Sequence, residues 1–568
     1  MGEQQPSKEP GLSWEEALAR LTAPGAPFEI AQAQVGGQTV RVFERTPPSL
    51  RALFDTARGR ADALFLVYED ERWTFGDAMA QVDALGAQLV SRFGVRRGDR
   101  VAIAMRNYPE WITAFAAITS VGGIAVCLNA WWTLDEMAYG LEDSGSKVLL
   151  ADVERAERAA PAAVRLGTAV VVVRSAGASL PPGAVRLEDV LVKGAALPQV
   201  EIGLDDDATI LYTSGTTGRP KGAVSTQRAV LSALMAFALR AFVGRLMAPP
   251  AEPHPFPTAF ILTVPLFHVT GLVPVMLSCF ASGTKLVMMY KWSPERALEL
   301  IERERVTHFV GVPTMTWDLL ESPEFPKRDT SSLMNVGGGG APAPPELVTR
   351  VDRSFQRGRP NIGYGMTETN AYGPQNSGDD YVRKPRSTGR AVPILEIRVT
   401  DPDGRPLPVG EAGEIWFRGP NLIRGYWGKP EATAQTIVDG WLRSGDIGRI
   451  DVEGFVTVED RAKDMVLRAG ENVYCAEVEA AIYEHPAVYE AAVYGVPHAR
   501  LGEEVAVSVL PKPGHTLDAE SLRAHLAPRI AAFKIPTRIE IREAALPRNA
   551  SGKILKRELR DALLAASS

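Results

Sequence analysis

Short apolar runs alternate with stretches of helical periodicity along most of this chain, and that alternation restricts the fold more than any other feature. "RVAIAM" (100–105), "KVLLAD" (147–152), "TAVVVV" (168–173), "FILTVPL" (260–266), "TKLVMM" (284–289) and "HFVGVP" (308–313) read as strands. Residues 73–95, "WTFGDAMAQVDALGAQLVSRFGV", carry apolar side chains at the 3.6-residue spacing of a helix. Strands and helices in alternation give an α/β fold with largely parallel sheets. A chain of 568 residues exceeds one ordinary core, so two or more domains are expected. From about Val392 short strands with tight turns take over, as in "LEIRVTDPDGRPL" (395–407) and "GEIWFRG" (413–419). After "DRAKDM" (460–465) the pattern is α+β, with strands at 491–497 and 504–511 and a helix at 518–530. Residues 1–50 are weakly patterned and are expected to wrap the first domain. Residues 246–258 hold five prolines and read as a stiff surface loop.

The loop "YTSGTTGRPKG" (212–222) raises the functional question. Ser214, Gly215, Thr216, Thr217 and Gly218, with Thr213 before them and Lys221 after, combine hydroxyls, close backbone approach and a positive charge. That set suits an anion with several oxygens, and phosphate is the reading. It is not a Walker A sequence, because Gly215 and Gly218 are too close and Gly222 follows Lys221. An apolar strand is expected before the loop, and after it a helix that begins near Ser225 or Thr226, both plausible caps.

Composition narrows the class. Hydrophobic residues make up 45% and charged residues 23%, as in soluble globular proteins. A net charge of −6 gives no field that favours nucleic acid. The three cysteines lie far apart and read as free thiols in a reducing compartment. Neither they nor the seven histidines show metal-ligand spacing, so no structural zinc is expected. The start shows no signal-peptide pattern, and Pro6 spoils a myristoylation site. The uncharged stretch 260–284 is broken by Pro265, Gly271 and Pro274, and reads as strand, turn and helix rather than a membrane span. The expectation is a cytoplasmic protein with no transmembrane segment.

Four further motifs follow the loop: "GYGMTET" (363–369), "LRSGDIG" (442–448), "DRAKDMVLRAGENV" (460–473) and "PRNASGK" (547–553). Together the five resemble, in type and order, those of the AMP-forming acyl-CoA synthetases of the adenylate-forming superfamily. The resemblance covers roughly residues 50 to 560. It implies a large N-terminal domain, residues 1–461, of two α/β subdomains plus a small β-barrel-like part. A small mobile α+β domain, residues 462–568, would follow. It also implies ATP, Mg2+ and coenzyme A as reactants or cofactors and a small carboxylic acid as substrate, and leaves a homodimer open.

The resemblance assigns roles by position. Tyr364 would stack on adenine, Thr367 contact the α-phosphate, Glu368 hold Mg2+, and Asp446 with Arg461 bind the ribose. Lys463 would be the hinge, and Gly470 would sit in the hairpin that lines the pantetheine tunnel, where Ala469 replaces a glycine common in relatives. Lys553 would be the catalytic lysine, with Thr213, Glu368 and His268 as further catalytic candidates. His268, Leu272, Gly338, Gly339, Gly340 and Gly365 would line the acyl pocket. Their small size, and the lack of a cation in "LFHVTGL", imply a medium- to long-chain fatty acid or a bulky aryl acid. Transfer to a carrier-protein thiol, luciferase-like oxygenation and a non-catalytic nucleotide sensor are the alternatives.

Overall fold

The computed structural model describes residues 11–213, 219–250, 252–469, 471–550 and 552–566. Two eight-stranded sheets carry the α/β part. The first runs Gly425–Tyr426, Lys221–Thr226, Asp207–Thr213, Ile124–Cys127, Arg100–Ala104, Val148–Asp152, Ala169–Val173, Val185–Arg186. The second runs Gln375–Ser377, Arg359–Gly363, Asn335–Gly339, His308–Gly311, Ala259–Leu262, Lys285–Met288, Leu64–Tyr68, Glu71–Thr74. Both are parallel in the middle, and the second is antiparallel at each edge. Parallel neighbours need crossover connections, and helices such as Pro109–Ser120 and Pro294–Glu304 supply them. Phe75–Ser91, which links the second sheet to the first, starts at a capping box in which Thr74 and Asp77 satisfy each other's backbone N–H.

Phe65, Phe75 and Phe280 pack ring on ring within a core that spans both large sheets. A five-stranded sheet follows, holding Glu396–Thr400, Gly413–Arg418, Trp441–Ile450 and Val456–Arg461. The chain then passes through residues 462–465 to a last sheet built on Val488–His498 and Gly502–Pro511. That sheet has its own core around Val466, Val493, Val507 and Leu522, as a separately packed body requires.

The N-terminal segment seals the main core. Trp14, Phe28 and Phe43 are buried in it, and Trp14 lies between the guanidiniums of Arg240 and Arg390 at 5.2 and 4.3 Å. Gln227–Met247 is the one helix among the described residues long and apolar enough to cross a bilayer. Val230, Leu231, Leu239 and Val243 are fully buried on it, as in the core helix of a globular fold.

One sequence expectation is met with an addition, and one needs correcting. The helix expected after the loop, capped at Ser225 or Thr226, begins at Gln227 with Thr226 as its cap. Before it Lys221–Thr226 is a strand, antiparallel to Asp207–Thr213 with Thr213 opposite Lys221. The strand forms because it has a partner on each side, the outer one being Gly425–Tyr426. The glycine run, expected as pocket wall or turn, is itself a strand, Asn335–Gly339. A Cβ on Gly337, Gly338 or Gly339 would lie 2.0, 2.0 or 2.3 Å from the carbonyl oxygen of Asn361, Gly311 or Gly363. Gly337 and Gly338 also adopt φ of +155° and +150°, open to glycine alone. Close strand packing explains why these positions are glycine, and Gly338 and Gly339 still line the cavity.

Candidate active site

A cavity of about 2730 Å³ runs between the two large sheets and the last domain. At one end it is lined by Thr213, Lys221, Thr367, Glu368, Asp446, Arg461, Lys463 and Lys553. Ser214, Gly215, Thr216, Thr217, Gly218 and Gly470 lie outside the described residues. Lys221 opens its strand, and its ammonium sits 4.7 Å above the ring of Tyr426. The Tyr426 hydroxyl donates to Glu368 Oε1 at 2.7 Å, so one aromatic side chain orients both the cation and the carboxylate. Asp446 and Arg461 face each other across paired strands, with Nε 3.4 Å from Oδ1. Tyr364 donates its hydroxyl to the other Asp446 oxygen at 2.6 Å. Burial raises the Asp446 pKa, and Arg461 and the Tyr364 hydrogen bond oppose it.

Tyr364 is half-buried; its ring packs against Phe417 at 5.7 Å, and its hydroxyl fixes Asp446.

Lys553 reaches this end from the last domain. Its loop is tightly built: Asn549 Oδ1 accepts the Lys553 N–H at 3.0 Å, and Gly552 turns at φ +86°. Arg548 ties the Gly552 carbonyl, at 2.8 Å, to buried Glu490, at 2.6 Å. Burial, then the Arg461 charge, lowers the Lys553 pKa to about 8, against the pull of Asp464 and Asp446. Lys463 is lowered for the same first two reasons. His268 lies nearby and is held neutral, its pKa lowered to about 4 by burial and then by Lys553. The domains are docked through Asp318, whose two oxygens accept from Tyr489 of the last domain at 2.6 Å and Trp292 at 2.8 Å.

The other arm follows the second sheet. Val312, Val310 and His308 line it at every second position, as the strand's alternation requires. Four residue steps of about 3.3 Å, from His308 to Val312, make that wall about 13 Å long. Gly338, Gly339, Gly340 and Gly365 also line the cavity, beside Phe267 and His268. Leu272 does not: it is fully buried in the core, within the π-helical segment Gly271–Leu277. Gly365 is glycine for a backbone reason, since a Cβ there would lie 2.3 Å from the Ala371 carbonyl oxygen. A large side chain at 365 would displace that turn before it narrowed the pocket.

Against this geometry stand the likenesses to known proteins. Residues 53–427 match the model of the AMP-binding enzymes, and residues 477–553 match that of the AMP-binding enzyme C-terminal domain. This chain belongs to the AMP-binding enzyme family. Specifically, it is an AMP-forming acyl-CoA ligase. It is 37% identical over 469 residues to a feruloyl-CoA synthase of Amycolatopsis sp, covering 82% of this chain and 89% of that one. It is 34% identical over 507 residues to a long-chain-fatty-acid–CoA ligase of Mycobacterium tuberculosis, covering 87% and 93%. Among solved structures, ATP-bound MatB from Rhodopseudomonas palustris superposes with a TM-score of 0.79 at 31% identity, covering 91% of this chain and 99% of that one. The anthranilate CoA ligase AuaEII, in complex with anthranoyl-AMP, gives 0.81 at 26% identity, covering 92% and 98%.

The ligase's nucleotide end fits a magnesium–ATP complex. Glu368 keeps one carboxylate oxygen without a partner among the described residues, and no cluster of three metal-ligating side chains occurs among them. One carboxylate plus phosphate oxygens is how Mg2+ is commonly held. Sequence reasoning missed Tyr426, Arg548 and Asp318, which act by orienting other residues of the ligase. Tyr426 sits in "RGYWGKP", whose glycines and aromatics gave the only hint.

Proposed function

We propose that this ligase activates a medium- to long-chain or bulky aromatic carboxylic acid and passes it to coenzyme A. The observation that carries the reading is the single cavity in which Lys553 and Asp446 share one end and an arm about 13 Å long leaves from the other. In the first half-reaction a carboxylate oxygen of the acid bonds to the α-phosphorus of ATP, and the bond to the bridging oxygen breaks to release pyrophosphate. Lys553, protonated, offsets the negative charge gathering between carboxylate and phosphate. His268, neutral, adds no charge of its own to that site. In the second half-reaction the sulfur of coenzyme A bonds to the acyl carbon and AMP leaves.

The hairpin of Val466–Arg468 and Glu471–Val473 does not line the cavity, whereas Lys553 does. Rotation about Lys463 would exchange them, and this supports separate arrangements for the two halves. Acetate leaves most of the arm empty and gains nothing from its apolar wall, so each added buried methylene should contribute about 0.8 kcal/mol. The test is pyrophosphate release across acetate, longer fatty acids and aryl acids, followed by thioester formation with coenzyme A. Preference for acetate over octanoate would sink the substrate reading.

A further inference from the structure

Tyr139, Asp143 and Lys429 lie just outside the nucleotide end of the cavity, behind Tyr212 and Pro220, which line it. Tyr139 and Asp143 share one face of the helix Leu134–Ser144, one turn apart. The Asp143 side chain is only 12% exposed, and both of its oxygens are engaged. Oδ2 accepts from the Tyr212 hydroxyl at 2.8 Å, and Oδ1 accepts from the Lys429 ammonium at 3.0 Å. The Tyr139 hydroxyl lies 2.9 Å from the Pro220 carbonyl and 3.2 Å from Asp143 Oδ1. A carbonyl oxygen can only accept, so the tyrosine proton belongs in the shorter contact. The Tyr139 ring also lies under the Arg219 guanidinium, at 5.0 Å.

The segments caught by this cluster are the ones that place the phosphate-facing residues. Tyr212 stands directly before Thr213, and Pro220 directly before Lys221, at the two ends of the loop. Lys429 belongs to the turn after Gly425–Tyr426, and its N–H donates to the Tyr426 carbonyl at 3.2 Å. Tyr426 in turn carries the Lys221 ammonium over its ring and holds Glu368 through its hydroxyl. Asp143 thus joins the strand that enters the loop to the turn behind Lys221 and Glu368, and Tyr139 adds the strand that leaves it. The helix itself does not depend on them. It is closed at one end by the capping box of Thr133 and Glu136, and at the other by Gly145 at φ +59°. A buried ion pair also adds little net stability, because desolvation offsets the attraction. What this one supplies is spacing.

Resting on the ligase reading, we propose that Asp143 and Tyr139 are positioning residues for the triphosphate of ATP. They touch no reacting atom. They fix the two ends of the loop against the turn that bears Tyr426, and so aim Lys221 and Glu368 at the β- and γ-phosphates, which AMP lacks. Attack of coenzyme A needs no triphosphate, so their contribution is confined to the first half-reaction.

The test compares binding of magnesium–ATP and of AMP to the full chain by titration calorimetry. In Asp143→Ala the Kd for magnesium–ATP should rise about tenfold, the loss of one bond to a charged group, while that for AMP stays within about twofold. Tyr139→Phe loses only the hydroxyl and should weaken ATP about threefold. Asp143→Asn keeps one acceptor oxygen and should fall between wild type and alanine. With an acid that supports pyrophosphate release, the KM for ATP should rise in step. The KM for the acid, and coenzyme A attack on supplied acyl-adenylate, should hold. Should Asp143→Ala fail to fold, Asp143→Asn and Tyr139→Phe decide. Unchanged ATP binding, or equal weakening of ATP and AMP, would overturn the inference and leave the cluster a tie within the fold. Absence of pyrophosphate release with every acid would overturn the ligase reading instead, and the comparison of ATP with AMP would still judge the cluster.

Discussion

At the nucleotide end of the cavity, Thr213, Lys221, Glu368, Asp446 and Lys553 arrive on strand ends and loops from both domains. At the acyl end, Phe260, Val310, His308 and Asn335 arrive from neighbouring strands of one sheet, set in register by backbone hydrogen bonds. The first end is complete only while the last domain is docked, because Lys553 comes with it. The second is built by the first domain, and Gly552 of the last domain meets it beside Val312, at its inner end. Rate and acid preference should therefore be separable by mutation.

The largest expected effect is at the nucleotide end. Lys553→Ala should slow pyrophosphate release by about 10³-fold, the loss typical of a removed transition-state donor. Attack of coenzyme A on supplied acyl-adenylate should change little, and single-turnover assays of each half check this. Equal losses in both halves would show that Lys553 only holds its loop. The charge also sets a pH limit. With a pKa lowered to about 8, the ammonium is present below that pH and lost above it. Adenylation should decline as pH rises through about 8, and Lys553→Arg should remove the decline whatever rate it retains. His268, neutral above about 4, adds no limb near neutrality.

The acyl end should respond in preference instead. Val310→Trp would block the arm about halfway, between Val312 and His308. An acid that loses four buried methylenes forfeits about 3 kcal/mol, about a hundredfold in kcat/KM. Short acids and the KM for ATP should stay near wild type. A uniform loss for all acids would mean the two ends are coupled after all.

Lys463→Pro acts between the ends. No backbone hydrogen bond from the residue 463 N–H is present among the described residues, so proline removes none in the docked arrangement. The first turnover of pyrophosphate should survive, and steady-state thioester formation should slow by about tenfold as φ is fixed. Unchanged turnover would place the hinge elsewhere.

How much of this was legible in the sequence follows the same division. The nucleotide end is written in contiguous words, because a loop that grips phosphate or ribose must bring several groups within a few residues of one another. Glu368, Asp446 and Lys553 could be picked from such words. The strands and helices were equally readable from periodicity. The acyl end was not, since its residues are spread from 260 to 361 and meet only through strand register. His308 looked like part of an apolar run, Leu272 like pocket wall, and the glycines like empty space. Each was a question of which face of a strand, or which neighbour, a side chain meets, and spacing along the chain does not carry that. The strand Lys221–Thr226, between the phosphate loop and the helix, was missed for the same reason, since its partner Gly425–Tyr426 lies some 200 residues away.

The smallest effect belongs to the contact that docks the domains. Tyr489 donates to Asp318 across the interface, and Trp292 holds the same carboxylate from the other side. Tyr489→Phe removes one hydrogen bond to a charged group and leaves the Trp292 bond and the ring packing in place. Such a bond is worth about 1.5–3 kcal/mol when fully made. Part of that is returned by solvent at an interface that opens in every cycle, so a shift of about 1 kcal/mol toward the undocked arrangement is expected. Adenylation should slow by a few-fold, and release of the last domain for the second half-reaction should become easier. Because the last domain meets the His308–Val312 wall at its inner end, where Gly552 packs beside Val312, the ratio of kcat/KM values between two acids that both reach past that contact should not move. Rates with octanoate and dodecanoate, measured side by side in Tyr489→Phe, check this directly. A changed ratio would show that docking also shapes the acyl arm, and the two ends would then be one site rather than two.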